Sequence, residues 1–204
     1  MRRSSKFLAI LLVISLLLPG IVQAAPVSDN SAKLNTVEEV LDESVKRLSG
    51  ADRVLTSIRV SQEAYQQSDI AVLAGFAGEI YALAGTLLAA SKNAPLLLTY
   101  KDKVIPELKA ELERLGVKTV YILGGEAVVY EAVEEELKKD YTVTRIKGSN
   151  REMTAIEVAK EANAEAKHVF LANGYEGIAD ALAIGPVAAL KGMPLLLTKT
   201  NQLS

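Results

Sequence analysis

The chain has 204 residues, half of them apolar, with 23 basic and 25 acidic side chains and a formal net charge of −2. This length can bury a sizeable core, whereas the acidic balance and the lack of a basic run exclude duplex nucleic acid as a natural partner. Tryptophan is absent and aromatic residues make up only 5%, which argues against a sugar site of stacked aromatic platforms and against single-stranded nucleic acid.

The first 24 residues predict a secretory signal peptide. Three basic side chains precede an apolar run from Phe7 to Leu18, and a small-residue V-Q-A site follows. Because the run is shorter than the roughly 20 residues of a spanning helix, cleavage after Ala24 is favoured over a retained membrane anchor. We therefore expect secretion to the cell surface with no transmembrane span. Residues 25–44 are polar and predict a linker with one short helix around Val37–Leu41.

From residue 45 onward, short apolar runs alternate with amphipathic stretches. The apolar runs predict strands at 70–75, 95–99, 117–125, 141–146, 168–174 and 194–198. The amphipathic stretches predict helices at 51–65, 79–92, 104–116, 127–140 and 178–192, with a further helix ending near Ala162. Strands alternating with helices of about ten to fifteen residues indicate βαβ units and a parallel sheet. With right-handed crossovers, the fold class is α/β, a doubly wound parallel sheet of the flavodoxin or Rossmann type.

The chain also repeats itself with a register of 98 residues. RLSGADRVLTSIRVS, beginning at Arg47, is echoed by RIKGSNREMTAIEVA, beginning at Arg145. NAPLLLT, ending at Thr99, is echoed by GMPLLLT, ending at Thr198, with one residue inserted between the two blocks. Solenoid units run about 20 to 50 residues, so copies of this length should be whole α/β units.

These repeats divide the chain into copy one (residues 45–144) and copy two (residues 145–204). Copy two ends just after its PLLLT strand, about 40 residues short of copy one. A buried strand without its crossover helix would expose apolar surface. The sequence therefore predicts tandem repeats with an incomplete second copy that is poorly soluble or oligomeric.

Three blocks follow one another in a characteristic order: RLSGADRVLTS at 47–57, VYILGGEAV at 120–128 and LANGYEGIADALAIGPVAALKGMPLLLT at 171–198. They resemble the cell wall-binding repeat 2 family of S-layer-associated and other surface proteins, from about Leu41 to Ser204. The resemblance implies a non-catalytic module that anchors a surface protein noncovalently to an anionic cell-envelope polymer, without a cofactor. Family members usually carry three copies that pack as a pseudo-threefold set, so other copies of the repeat are expected partners.

The arginines of the first block are candidate polymer-binding residues: Arg47 and Arg53 in copy one, Arg145 and Arg151 in copy two. A guanidinium grips phosphate or carboxylate in two hydrogen bonds and stays charged. The alternative is structural, since Asp52 or a carboxylate of the neighbouring copy could pair with these arginines and fix the interface. Both interpretations remain open from the sequence.

Asp180 is a further polymer-binding candidate, with a helix-dipole partner or loop anchor as its structural alternative. Copy one has Ile80-Tyr81-Ala82 at the corresponding place and lacks this acid. Gly124-Gly125 lies where a strand meets a helix, but Glu126 puts negative charge where a phosphate would bind, which favours a tight turn.

Nothing in the sequence indicates catalysis. One histidine and no cysteine make a zinc site improbable, and no Ser/His/Asp set can be assigned. Two other functions remain open beside anchoring. One is a structural repeat that packs against other copies or subunits, and the other is a small-molecule-binding α/β domain using the strand carboxyl ends.

Overall fold

The computed structural model describes residues 45–76, 78–176 and 178–200. The helices are α1 (Arg53–Ala64), α2 (Glu79–Ser91), α3 (Pro106–Leu115), α4 (Glu131–Leu137), α5 (Arg151–Asn163) and α6 (Ile178–Lys191). The strands are β1 (Ile70–Gly75), β2 (Leu96–Thr99), β3 (Thr119–Leu123), β4 (Thr142–Ile146), β5 (Phe170–Asn173) and β6 (Leu195–Thr198). The predicted signal peptide, linker and short helix lie outside the described residues.

All strand pairs in this part of the chain are parallel. Copy one forms a four-stranded sheet in the order β2-β1-β3-β4, and copy two forms a separate two-stranded sheet, β5-β6. Because β2 and β3 lie on opposite sides of β1, the chain reverses direction across the sheet after β2. The doubly wound α/β fold predicted from the sequence is confirmed.

Both faces of the copy-one sheet are covered by helices. Leu73 and Ile122 pack on one face with α1, α3 and α4. Val72 and Leu123 pack on the other face with α2 and with α5 of copy two. This two-sided burial explains why the strands are almost continuously apolar in sequence.

Helix α2 is shared by the two copies. Its Leu88 is buried against the copy-one sheet, while its Leu83 packs in a second cluster with Leu195 and Leu197 of β6. A helix with a single apolar stripe would serve only one sheet, but α2 is apolar around most of its circumference. Copy two therefore uses a copy-one helix as part of its own core.

Copy two has an exposed apolar surface, as the sequence predicts. Thr99 pairs with Gly75 and Thr198 pairs with Asn173, so Leu171 of β5 corresponds to Leu73 of β1. Leu73 is fully buried beneath α1, α3 and α4, whereas Leu171 is 51% exposed.

One predicted helix is shorter in the structure than in the sequence pattern. The helix predicted at 127–140 spans only Glu131–Leu137, so residues 127–130 and 138–140 lie outside it. The Tyr130 backbone N–H donates to the Lys101 carbonyl at 2.8 Å, which ties this turn to the loop after β2. In residues 45–200, apart from the undescribed 77 and 177, no helix is long and apolar enough to cross a membrane.

Candidate functional site

The repeated R-x-x-G motif builds the same turn in both copies. In copy one, the side chain of Asp52 caps α1 by accepting from the Leu55 N–H at 2.9 Å. The Gly50 N–H donates to the Thr56 hydroxyl at 3.0 Å, and that hydroxyl donates to the Asp52 carbonyl at 2.7 Å. This N-cap network places Arg53 at the first position of the helix.

Copy two repeats these bonds with different residues. Asn150 replaces the aspartate and accepts from the Met153 N–H at 2.8 Å. The Gly148 N–H donates to the Thr154 hydroxyl at 2.9 Å, and the hydroxyl donates to the Asn150 carbonyl at 2.8 Å. Arg151 consequently has the same position on α5 as Arg53 has on α1.

In copy one the arginine lies over an aromatic ring at the carboxyl edge of the sheet. The Arg53 guanidinium carbon is 4.5 Å from the centre of the Phe76 ring, which directly follows β1. Phe76 stacks on Tyr100, which directly follows β2, with ring centres 5.7 Å apart. The Tyr100 hydroxyl donates to the Asp52 carboxylate, and this bond raises the pKa of Tyr100 and lowers the pKa of Asp52.

Two lysines extend this arrangement. The Lys103 ammonium lies 5.1 Å from the centre of the Tyr100 ring. The Lys101 ammonium lies 4.7 Å from the centre of the Tyr130 ring, which belongs to the loop after β3. We call these residues the copy-one edge cluster: Arg53, Phe76, Tyr100, Lys101, Lys103 and Tyr130.

Copy two has a smaller set, which we call the copy-two edge cluster: Arg151, Glu152, Tyr175 and Lys199. The Arg151 guanidinium carbon is 4.2 Å from the centre of the Tyr175 ring, and the Lys199 ammonium is 6.0 Å from it. Arg151 also donates to the Gly174 carbonyl at 2.5 Å. The Tyr175 hydroxyl donates to Glu152 at 2.8 Å, and this bond raises the pKa of Tyr175.

The two clusters therefore share a design but differ in charge. Glu152 is 1% exposed, and its second carboxylate oxygen has no hydrogen-bond partner among the described residues. The corresponding copy-one residue is Val54, which is fully buried in the apolar core. Copy one thus presents three cations at its edge beside the Asp52 carboxylate, whereas copy two presents two cations beside the buried Glu152 carboxylate.

The five residues singled out from the sequence have different surroundings. Arg53 and Arg151 lie over rings in the edge clusters. Arg47 is exposed, and Asp180 is exposed in the first turn of α6. The side chain of Arg145 is only 7% exposed, donates to Glu134 at 2.5 Å and to the Gly124 carbonyl at 2.9 Å.

Arg145 lies in β4, the last strand of the copy-one sheet, and its ion pair joins that strand to Glu134 of the preceding helix α4. Burial opposes the ionisation of Glu134, but hydrogen bonds from Lys138 and Arg145 outweigh it and lower the pKa of Glu134. Gly124, which the sequence placed in a tight turn, has a φ of 92°. Its carbonyl accepts a hydrogen bond from Arg145, so this turn helps to fix the position of β4 beside β3.

Sequence reasoning missed the aromatic and lysine members of the edge clusters. Phe76 directly follows β1, and Tyr100 and Lys101 directly follow β2. Because the carboxyl ends of parallel strands meet at one edge of a sheet, these positions could have been grouped from the predicted strands. The low aromatic content concealed them, since composition does not say where the few aromatic residues lie.

Within the described residues, no group of three or more His, Cys, Asp or Glu side chains is placed to hold a metal ion. The edge clusters offer guanidinium, ammonium and aromatic groups instead. Guanidinium and ammonium groups bind anions, and aromatic rings pack against cations and flat apolar faces.

Comparison with known proteins identifies relatives that match about four fifths of this chain. N-acetylmuramoyl-L-alanine amidase LytC of Bacillus subtilis (strain 168) is 38% identical over 164 residues, which is 80% of this chain and 33% of LytC. The amidase enhancer of the same organism is 31% identical over 77% of this chain and 22% of its own length. The chain thus spans a third or less of these relatives.

Solved structures agree with the sequence comparison. Cwp8 from Clostridium difficile superposes with a TM-score of 0.72 and 36% sequence identity, over 77% of this chain and 28% of Cwp8. The sequence profile of cell wall binding domain 2 (CWB2) matches residues 47–134 and 145–204, one stretch in each copy. The chain belongs to the cell wall binding domain 2 family and is a cell-wall-binding module of tandem α/β repeats.

Proposed function

We propose that this module holds its protein to an anionic polymer of the cell envelope, noncovalently, through the two edge clusters. The arrangement of charge supports this. The chain has a net charge of −2, which would repel an anionic polymer if the charges were evenly spread. Arg53 and Arg151 each lie over an aromatic ring at a carboxyl edge, so each copy offers one fixed guanidinium there.

Each single contact of this kind is weak when exposed to solvent, about 1 kcal/mol or less. Two copies on one chain raise the apparent affinity because the second contact becomes intramolecular after the first. Binding should therefore be reversible and should weaken with salt. We take the module to act at the cell wall as a binding domain, without the enzyme activity that the name of LytC describes.

The test uses the chain from Ala25 onward, which omits only the predicted signal peptide, and isolated cell envelope. Arg53→Ala and Arg151→Ala together should reduce retention on the envelope and make it less sensitive to salt. Arg59→Ala with Lys160→Ala is the matched control, because it removes one positive charge from each of the same two helices, about two turns away from Arg53 and Arg151. Equal retention of the double variant and the control would contradict the arginine mechanism.

The remaining three candidates stay predictions with different expected results. The ion pair with Glu134 makes Arg145 a structural residue, so Arg145→Ala should lower stability more than polymer affinity. Arg47 and Asp180 are exposed and remain available to a ligand. Their alanine variants should leave stability unchanged and can be compared in the same retention assay.

We further propose assembly with other copies of the repeat as a second function, because copy two has an exposed apolar surface. On α6, Leu182 is 58% exposed and Leu190 is 89% exposed, and Leu171 of β5 is 51% exposed. Light scattering should show a mass that rises with protein concentration, and Leu182→Gln with Leu190→Gln should lower it. A monodisperse monomer at all concentrations would exclude this function for the chain.

A further inference from the structure

Among the described residues, two groups of lysines differ in their partners, and Lys167 and Lys191 belong to neither. One group forms ion pairs with carboxylates: Lys46, Lys92, Lys109, Lys118, Lys138, Lys139, Lys147 and Lys160. Lys101, Lys103 and Lys199 form no ion pair with a described carboxylate. Their ammonium groups lie 4.7, 5.1 and 6.0 Å from the centres of tyrosine rings at the carboxyl edges.

The type of partner determines what charge reaches the solvent. A carboxylate cancels the charge of an ammonium, whereas an aromatic ring attracts it through a quadrupole and leaves the net charge at +1. Lys101 and Lys103 therefore present positive charge that no ion pair with a described carboxylate cancels, while the Asp52 carboxylate bonded to Tyr100 and the charge of Glu107 lie close by. Asp102 lies between them in sequence and is exposed, but it pairs with neither.

The ring contacts also restrict where these charges lie. Lys101 is tied to Tyr130 twice, by the ring contact and by the 2.8 Å bond from the Tyr130 N–H to its carbonyl. A lysine held at the surface loses less side-chain entropy when it binds an anion than a freely rotating one does. At the sequence positions equivalent to Lys101 and Lys103, copy two has Thr200 and Gln202.

We propose that Lys101 and Lys103 are direct contacts for the anionic groups of the envelope polymer, and that they make the copy-one edge cluster the stronger of the two binding sites. The inference rests on the proposed function and extends it from the repeated arginines to residues that only copy one has. The ligand groups are phosphates or carboxylates, since both accept hydrogen bonds from an ammonium.

The first test compares Lys101→Gln/Lys103→Gln with Lys138→Gln/Lys139→Gln in the chain from Ala25 onward. Both double variants lose two positive charges, but the control lysines are paired with glutamates of α4. We expect the first variant to bind isolated envelope about 3- to 30-fold more weakly than wild type, with a shallower salt dependence. We expect the control to bind within about twofold of wild type, and Lys199→Gln to have a smaller effect than the Lys101/Lys103 variant.

The outcomes separate the inference from the function on which it rests. If wild type shows no salt-sensitive retention, the proposed function fails. If wild type is retained and the Lys101/Lys103 variant is retained equally well, or if the control is weakened as much, only this inference is overturned.

A second test addresses the ring contact while both lysines stay in place. Tyr130 is 45% exposed, so Tyr130→Leu should fold normally. It should weaken binding about 2- to 5-fold, because the Lys101 ammonium loses its ring, while Tyr130→Phe should bind like wild type.

A third test measures acetylation of the lysines by mass spectrometry. Protein bound to the envelope should be protected from acetylation at Lys101 and Lys103. Reactivity unchanged by the envelope at both lysines would contradict direct contact.

Discussion

At the scale of single residues, equivalent positions of the repeat have different surroundings. Arg47 and Arg145 begin the same motif, but Arg47 is exposed and Arg145 is buried against Glu134. A motif specifies the turn that its own residues build, since those hydrogen bonds are local. It does not specify what packs on the turn, because Glu134 comes from α4, which lies outside the motif.

The motif glycines provide a prediction for this turn. A Cβ on Gly50 would lie 2.5 Å from the Leu55 carbonyl carbon, and one on Gly148 would lie 2.5 Å from that of Met153. Gly50→Ala and Gly148→Ala should each lower the free energy of unfolding by about 1–3 kcal/mol, measured by urea denaturation. Gly125→Ala is the control, because its nearest neighbour would be 4.0 Å away. If both motif variants lower the free energy of unfolding by less than about 0.5 kcal/mol, the backbone at the helix start can shift to accommodate the added Cβ and the prediction is wrong.

Glu152 gives a second prediction at this scale. Its unpartnered carboxylate oxygen is buried where copy one has Val54. A buried polar group without a partner is destabilising, so Glu152→Val should leave the free energy of unfolding unchanged or raise it by about 1 kcal/mol. The same denaturation experiment measures it, with Glu152→Ala expected to be less stable because it leaves a cavity. A clear loss of stability in the valine variant would mean that the bond to Tyr175 is worth more than the burial cost.

At the scale of helices and strands, local patterns predicted the elements well. The strand at 70–75 has the predicted bounds, and Gly116 ends α3 with a φ of 76° as expected of a left-handed cap. The sequence pattern predicted a longer helix than α4, which begins only at Glu131. The residue before it, Tyr130, donates its backbone N–H to the distant Lys101 carbonyl, and this bond holds the preceding turn outside the helix. Local sequence shows the periodicity of a helix. It does not show that a carbonyl 29 residues away will accept the hydrogen bond of a backbone N–H at the helix start.

The shared helix α2 was also beyond sequence reasoning. Its apolar content is compatible with any buried helix, and only the packing of copy two shows that it faces two cores. Leu83 packs toward β6, whereas Leu88 packs toward the copy-one sheet. The copies are thus repeats in sequence but are coupled in stability.

This coupling predicts a local effect of substitution in α2. Leu83→Ala removes contacts with Leu195 and Leu197, so it should cost about 2 kcal/mol or more and should raise amide exchange in β5 and β6 before β1 and β3. Its repeat counterpart Leu182 is 58% exposed, and Leu182→Ala should change stability by less than about 0.5 kcal/mol. Exchange that increases equally in all strands would indicate one cooperative unit without local opening.

At the scale of the whole molecule, the positions of the charges say more about function than the net charge does. Acidic and basic side chains nearly balance in number, and eight lysines of the described residues are paired with carboxylates. In the described part of the chain, five cations over aromatic rings lie at the carboxyl edges of the strands, whereas Lys92, over the Tyr121 ring within β3, is also paired with Glu161. Composition could exclude a generally basic surface, but it could not predict this separation, because the edge forms only when distant loops meet.

The paired carboxylates make stability depend on pH. Hydrogen bonds from Lys109 and Lys139 lower the pKa of Glu136 to about 2. The hydrogen bond from Lys92 lowers the pKa of Glu161. For Glu111, burial opposes ionisation, but bonds from Arg114 and Ser61 prevail and lower its pKa. In each case the ionised carboxylate is stabilised more in the folded protein than in the unfolded chain.

A group whose pKa is lower in the folded state contributes stability above its unfolded pKa and loses it as the pH falls through the folded one. The unfolded value for glutamate is about 4.3, so the free energy of unfolding should be constant from pH 7 to about pH 5. It should then fall steadily between about pH 4.5 and pH 2, as measured by urea denaturation at each pH. Glu136→Gln removes one of these titrations and should make the decline shallower, although it lowers stability at pH 7. A variant whose stability declines as steeply as wild type would show that general charge repulsion in acid, and not these ion pairs, sets the pH dependence.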